Sequence, residues 1–366
     1  MKRISVITLH NVRNYGSALQ TLATQEVFER LGCEVDFINF VREWEVSGKK
    51  QIDRWCEGFN PVKKLAYALA LTPSLLRQNT VFRDFLRRRI HLQRKVYTTP
   101  EDFTRFPIRA DIYCTGSDQT WNSGWNKGII GALFLDFVPD GVKKISYAAS
   151  FGKEKLDDWE KEETMRLLGR YAAISVREAS GVHICNDLGI HGATQVLDPT
   201  LQVDRDFWLS QIGKRKIKEP YVLIYQLNTN PEFDRYAREF ARRKKMKLVR
   251  FCLRYDQVVR GGKPLVIPPV EEFACAIRYA DYVITDSFHA TAFSINMNTD
   301  FISVYPHDYG GRLESILRLT HLEHRHLKSY DDFSFVNEQP IDFSETNQIL
   351  EVEREKGWTF LKNAIK

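Results

Sequence analysis

Short, almost wholly apolar runs alternate with stretches of helical periodicity along this chain, and the alternation starts twice. Ile4 to Thr8 is rich in β-formers. Turn chemistry follows at Asn14 to Gly16, then Leu19, Leu22, Ala23, Val27 and Leu31 recur at helical spacing until Gly32 stops the helix. Glu34 to Phe40 supplies the next strand. The rhythm resumes at Asp111–Thr115 and continues through Lys144–Ala149, a helix over about 156–170, Ala173–Val176, a helix over about 178–188, and Gln195–Leu197. It restarts at Tyr221–Tyr225, with a helix around 232–245, a strand over 247–251, a helix near 270–279, a strand over 281–285, another helix, and Phe301–Val304. Short strands separated by helices of this length favour mostly parallel sheets.

A chain of 366 residues exceeds one ordinary core and suits two α/β domains. Asp198-Pro199-Thr200, followed by polar residues and Trp208, reads as the hinge, giving a first domain over 1–205 and a second over 206–366. Residues 49–110 are weak in strand signal and rich in Arg, and read as a helical insertion punctuated by Pro61, Pro73 and Pro107. Two similar α/β halves facing each other would place a site in the cleft between them. A last helix around 345–363 is expected, by analogy alone, to pack back on the first domain.

Several function classes are disfavoured. No apolar run approaches the roughly 20 residues that span a bilayer, and the opening Met1 to Thr8 reads as a strand rather than a signal peptide. Six cysteines stand apart with no Cys-x-x-Cys pair, which suits reduced thiols in a cytoplasmic protein. The net charge of +6 suits anionic small-molecule substrates. Nucleic acid is not indicated: Arg87-Arg88-Arg89 and Arg242-Arg243-Lys244-Lys245 lack interleaved aromatics and glycines, and read as solvated helix faces. His321, His324 and His326 lack the i, i+4 pairing of a helical zinc motif, so no metal is assigned.

In open α/β sheets ligands sit beyond the carboxyl ends of the strands, so the loops leaving the strands carry the chemistry. The first is Asn14-Tyr15-Gly16-Ser17-Ala18-Leu19-Gln20, where a glycine and a helix N-terminus could receive an anion; a plain helix cap fits equally. The second, Gly116-Ser117-Asp118-Gln119-Thr120-Trp121-Asn122, puts dense hydrogen-bonding capacity beside an indole, which suits a sugar. Arg177, at the end of a strand, could fork onto a carboxylate or phosphate, or pair structurally with Glu178 or another acid. Finally, Asp286-Ser287-Phe288-His289-Ala290-Thr291 places a histidine in the first turn of a helix, with Ser287 as N-cap.

Taken in order, these strings resemble the polysaccharide pyruvyl transferase family. The resemblance runs from residue 4 to about 320 and also includes Ser175-Val176-Arg177-Glu178, Leu197-Asp198-Pro199-Thr200 and Gly311-Arg312. One departure is Ala290, where the family usually has Gly. The resemblance implies two Rossmann-like domains similar to GT-B glycosyltransferases, phosphoenolpyruvate as donor, and a sugar hydroxyl pair as acceptor, in a cell-surface polysaccharide or its lipid-linked precursor. It also implies His289 and Arg177 in the active site.

On that reading His289 protonates the donor methylene carbon, Arg177 and Arg312 hold phosphate and carboxylate, and Asp118 orients an acceptor hydroxyl or accepts its proton. Binding of donor or acceptor falls to Asn14, Tyr15, Gly16, Ser17, Gln20, Gly116, Ser117, Gln119, Trp121, Asn122, Ser287, Phe288, Ala290, Thr291 and Arg312. Because phosphoenolpyruvate carries its own leaving group, no further cofactor or metal is expected. Lipid-linked acceptors would bring the protein to the inner face of a membrane as a peripheral partner. Two rivals are a glycosyltransferase of the same fold using a nucleotide-sugar donor, and a non-catalytic glycan-binding relative.

Overall fold

The computed structural model describes residues 1–306 and 310–366. The chain divides into two compact units, one made of Met1–Arg54, Asp84–Val203 and Glu351–Lys366, the other of Trp55–Arg83 and Asp204–Leu350.

In chain order the first part runs β1 (Arg3–Ile7), α1 (Tyr15–Arg30), β2 (Glu34–Phe40), α2 (Gly48–Trp55), α3 (Pro61–Arg89), β3 (Leu92–Tyr97), α4 (Pro100–Arg105), β4 (Ile112–Thr115) and α5 (Ser123–Asn126). It continues with β5 (Lys143–Ser146), α6 (Asp158–Leu168), β6 (Ser175–Val176), α7 (Ala179–Asp187), β7 (Thr194–Gln195) and α8 (Pro199–Gln202). The first unit's main sheet has the order β3-β2-β1-β4-β5, every pair parallel, and β6 pairs with β7 beside it. Strand order reverses between β1 and β4, which lie in register from Ile4 opposite Ile112 to Ile7 opposite Thr115.

The second part runs α9 (Arg205–Gln211), β8 (Tyr221–Tyr225), α10 (Pro231–Arg243), β9 (Lys247–Cys252), β10 (Lys263–Val266), α11 (Glu271–Arg278), β11 (Tyr282–Thr285), α12 (Phe288–Met297), β12 (Phe301–Ser303), α13 (Gly311–Leu319) and α14 (Ser344–Ala364). Its sheet repeats the same arrangement, β10-β9-β8-β11-β12, again all parallel. Every residue of β8 and β11 is buried, as expected of central strands covered on both faces. On α10, Phe233, Tyr236, Ala237, Phe240 and Ala241 form the i, i+3, i+4 stripe that enters the core. Arg242 and Arg243 of the basic cluster point outward onto Glu239, at 2.7 and 2.6 Å. Both units are therefore Rossmann-like, and each has its own topological switch point.

Three details depart from the sequence reading. Residues 49–110 are not wholly helical, because β3 runs through them; an edge strand needs no apolar run, and Leu92-Gln93-Arg94-Lys95-Val96-Tyr97 shows none. Pro73 does not break α3 but sits inside it, forgoing one backbone hydrogen bond. Asp198-Pro199-Thr200 itself is a helix cap in the first unit, and the chain passes to the second unit just after it, between Val203 and Asp204: Asp198 Oδ1 accepts from the Thr200 amide at 3.0 Å and Pro199 takes the first helical position.

Candidate functional site

The loops leaving β1 and β4 meet at the first unit's switch point. Asn14 caps α1, its Oδ1 accepting from the Gly16 and Ser17 amides at 2.8 and 3.2 Å. That cap aims the Ser17 hydroxyl at Asp118 Oδ2, to which it donates a hydrogen bond. Asp118 has φ 80°, a left-handed conformation rare outside glycine. Its carbonyl accepts from the Ser150 amide at 3.0 Å and its Oδ1 from the Gln119 amide at 2.8 Å. Strain of this kind persists only where surroundings fix it, and it clusters at functional positions. Gly116 is required for closeness: a Cβ there would lie 3.0 Å from Val6 Cγ1 and 3.2 Å from Thr8 Cβ.

Arg177 leaves β6 with its side chain fully enclosed. Its Nη1 lies 2.8 Å from Asp198 Oδ2, its Nη2 3.4 Å from Asp118 Oδ1, and its Nε 3.7 Å from Glu178 Oε2. Burial acts to lower the guanidinium pKa, but the charges of Asp198, Asp118 and Glu178 outweigh it and raise it. Ser117 donates to Asp198 Oδ2 at 2.8 Å, tying the β4 loop to the same network. The expectation of an Arg177 reaching out to a donor is thus corrected: the guanidinium is a buried tie among carboxylates, the structural alternative already visible in the sequence. Sequence reasoning left Asp198 and Glu178 out of the site. Glu178 Oε1 accepts from the Ser150 hydroxyl and the Phe151 and Gly152 amides at 2.8, 3.0 and 3.2 Å.

Trp121 also needs correcting. Rather than offering a platform for a sugar, its indole is core: it stacks on Phe134 at 5.5 Å, meets Phe151 and Tyr171, and donates from Nε1 to Leu133 O at 3.2 Å. The polar string around it reflects turns, not exposure. Asn122 caps α5 by accepting from the Trp125 amide at 2.9 Å and donates to Gln119 Oε1 at 2.5 Å. Gln20 is buried and donates to Thr8 Oγ1 at 3.0 Å, and Tyr15 is buried in the first turn of α1. These four organise the loops. Gly16, Ser17, Gly116, Ser117 and Asp118 surround the switch point itself.

In the second unit the switch point lies between β8 and β11. Asp286, the first residue beyond β11, accepts from the Leu227 amide at 2.7 Å and from the Asn228 amide and side chain at 2.9 and 3.0 Å. It clamps the loop after β8, and burial raises its pKa against the pull of those donors. Ser287 caps α12, accepting from the Ala290 amide at 3.4 Å. His289 follows in the first turn, its ring edge-on to Phe288 at 5.3 Å, and the Arg312 guanidinium on α13 lies 6.0 Å from the same phenyl ring. His289, Phe288 and Arg312 are thereby gathered at one helix N-terminus, where backbone N–H groups favour an anion. Thr291 is buried, its hydroxyl 3.4 Å from that of Ser303, and Ala290 is buried in a regular helical turn. Both are packing positions. Among the described residues no group of three or more His, Cys, Asp or Glu side chains could hold a metal ion.

Two parallel sheets of this order, each with polar loops at its switch point, define a class: α/β proteins with two Rossmann-like units, as in GT-B glycosyltransferases. UGT89C1 of Arabidopsis thaliana, solved in complex with UDP-L-rhamnose, aligns over 99% of this chain and 98% of its own, with TM-score 0.50 at 11% identity. A putative UDP-N-acetylglucosamine 2-epimerase from Listeria monocytogenes aligns over 99% and 91%, with TM-score 0.48 at 12% identity. Within that class the polysaccharide pyruvyl transferase family model matches residues 14–308, and the chain belongs to that family. No curated protein matches the chain significantly.

Proposed function

We propose that this protein transfers the carbon skeleton of phosphoenolpyruvate onto two hydroxyls of a sugar, forming a pyruvate ketal and releasing phosphate. The observation that carries this reading is the family match over residues 14–308, which runs through the Asn14, Asp118, Arg177 and His289 strings in order. Ketal formation needs a proton at C3 of the donor while a sugar oxygen bonds to C2. The first hydroxyl loses its proton as it bonds, the C2–O bond to phosphate breaks, and the second hydroxyl closes the ring as it loses its own proton, so that one of the two protons replaces the one spent at C3 and the other leaves with phosphate. His289 supplies the proton to C3. Arg312 and the N-terminus of α12 receive the donor's anionic groups, where positive charge offsets the growing charge on departing phosphate. Asp118 orients the acceptor hydroxyl, and Arg177 positions Asp118 and Asp198 without touching substrate. No cofactor beyond the donor is required, and a polysaccharide repeat or its lipid-linked precursor is the acceptor.

The test is calorimetric titration with phosphoenolpyruvate, with UDP for comparison. Saturable heat with phosphoenolpyruvate that weakens about tenfold or more in Arg312→Ala is the expected result, consistent with losing a charge-assisted contact. Tight UDP binding with no response to phosphoenolpyruvate would overturn the proposal in favour of a nucleotide-sugar glycosyltransferase.

A further inference from the structure

α3 carries two apolar stripes on opposite sides, and among the described residues only one is covered. Leu71, Ser74, Leu75, Gln78, Val81 and Phe82 are buried and recur at helical spacing. This side is fastened within its own unit: Ser74 Oγ accepts from the Tyr255 amide at 3.0 Å, and Gln78 Nε2 donates to Leu253 O at 2.7 Å. At 100° per residue the other stripe, Val62, Leu65, Leu69 and Leu76, points roughly the opposite way. Its members are 80%, 63%, 68% and 62% exposed. None of residues 61–70 is buried, although the segment reads Pro-Val-Lys-Lys-Leu-Ala-Tyr-Ala-Leu-Ala. Isolated exposed leucines are ordinary, but a row of them along one helix face marks an interaction surface. Because the inward side is already occupied, the helix cannot turn the row inward.

Charge selects the partner. From the start of α2 to the end of α3, residues 48–89 hold ten Lys and Arg against three Asp and Glu, a net +7, whereas the whole chain is +6. The entire positive excess therefore lies in this segment, and the remainder of the chain carries −1. Lys63, Arg77 and Arg83 are exposed on α3 itself, Arg83 continuing the seven-residue spacing of Val62, Leu69 and Leu76. A second copy of the chain would bring cations against cations. A surface that is both apolar below and anionic above complements the stripe.

We infer that the exposed face of α3 docks the protein on an anionic lipid bilayer, with Val62, Leu65, Leu69 and Leu76 entering the headgroup boundary and the basic residues meeting lipid phosphates. An amphipathic helix lying in the interface binds this way, through buried apolar area plus attraction to anionic lipid, and each basic residue near such a surface strengthens binding about fivefold. The inference rests on α3 alone and does not depend on the pyruvyl reading.

The experiment is co-sedimentation of the full chain with phosphatidylcholine vesicles, with and without phosphatidylglycerol, at low and high salt. Wild type should bind the phosphatidylglycerol vesicles, bind phosphatidylcholine alone far less, and dissociate as salt rises. The double variant Leu65→Glu, Leu69→Glu should bind at least about tenfold more weakly while melting at the wild-type temperature, since both side chains are already in water. Failure of wild type to bind phosphatidylglycerol vesicles overturns the inference, as does a double variant that binds equally well. So does a dimer in analytical ultracentrifugation that the double variant converts to monomer while wild type leaves vesicles unbound.

Discussion

At the scale of single residues, the two switch points make separable predictions. His289→Gln keeps the size and polarity of the ring but supplies no acid, so turnover should fall about 10²–10⁴-fold with the melting temperature little changed; single-turnover phosphate release measures it. Full turnover in that variant would remove His289 from the chemistry. Arg177 should behave differently. Removing one partner of a buried ion pair typically costs about 3–5 kcal/mol, and here three carboxylates would be left behind, so Arg177→Ala should show a large loss in chemical denaturation. Asp118→Asn tests the site without that damage. Asn tolerates the left-handed backbone that Asp118 occupies, so the fold should persist while turnover falls. His10 gives a pH signature in stability. Its enclosed ring lies 3.3 Å from Thr8 O and Asn39 Oδ1, and burial lowers its pKa despite those contacts. Below about pH 6.5 the unfolded chain takes up a proton there and the folded chain does not. Stability should therefore fall with decreasing pH by at most about 1.4 kcal/mol per unit from this group, levelling off below the folded pKa. Denaturation at pH 7.5 and 5.5 should show His10→Gln losing less stability across that interval than wild type.

Among the elements, what the sequence made legible was what packing dictates directly. Tyr221–Tyr225 and Tyr282–Thr285 are apolar because both faces are covered, so the runs announce central strands. α10 announces itself by its stripe. β3 stayed hidden because an edge strand exposes much of its surface, and β10 for the same reason, its first two residues being exposed. The candidate loops were legible as positions, since they follow strands, but their wiring was not: Arg177 meets Asp118 and Asp198 through contacts 59 and 21 residues away along the chain. Trp121 misled because sequence shows neighbours and not enclosure. The close packing beneath the β4 loop can be tested at Gly116. An Ala there must displace Val6 on β1 or Thr8 just beyond it, an overpacking that should cost about 1–3 kcal/mol. Because the same loop carries Ser117 and Asp118, turnover should fall beyond the lost stability, and an unchanged melting temperature would mean β1 yields freely.

For the molecule as a whole, the order of assembly is not the order of the chain. The first unit is built from three separate stretches, and its last piece, Glu351–Lys366, arrives after the entire second sheet has been made. That piece is held by particular contacts: Arg354 Nε donates to Leu201 O and Gln202 Nε2 donates to Arg354 O, each at 2.9 Å. Gly357 is what admits Gln202, since a Cβ there would collide with the Gln202 amide. Leu361 is fully buried, and the Lys2 ammonium donates to the carbonyls of Ile365 and Lys366 at 2.5 Å. A terminal helix is ordinarily dispensable when it only decorates a surface, but this one completes a core begun at residue 3. Leu361→Ala should therefore cost about 2–5 kcal/mol, the range for deleting a buried leucine side chain. Cysteines report where the loss falls, because Cys114 lies buried in β4 of the first unit and Cys252 in β9 of the second. Thiol labelling under mild denaturant should reach Cys114 earlier in Leu361→Ala than in wild type while the rate at Cys252 changes less. Equal acceleration at both would mean that the two units open together, and that the terminal helix stabilises the chain as one cooperative body.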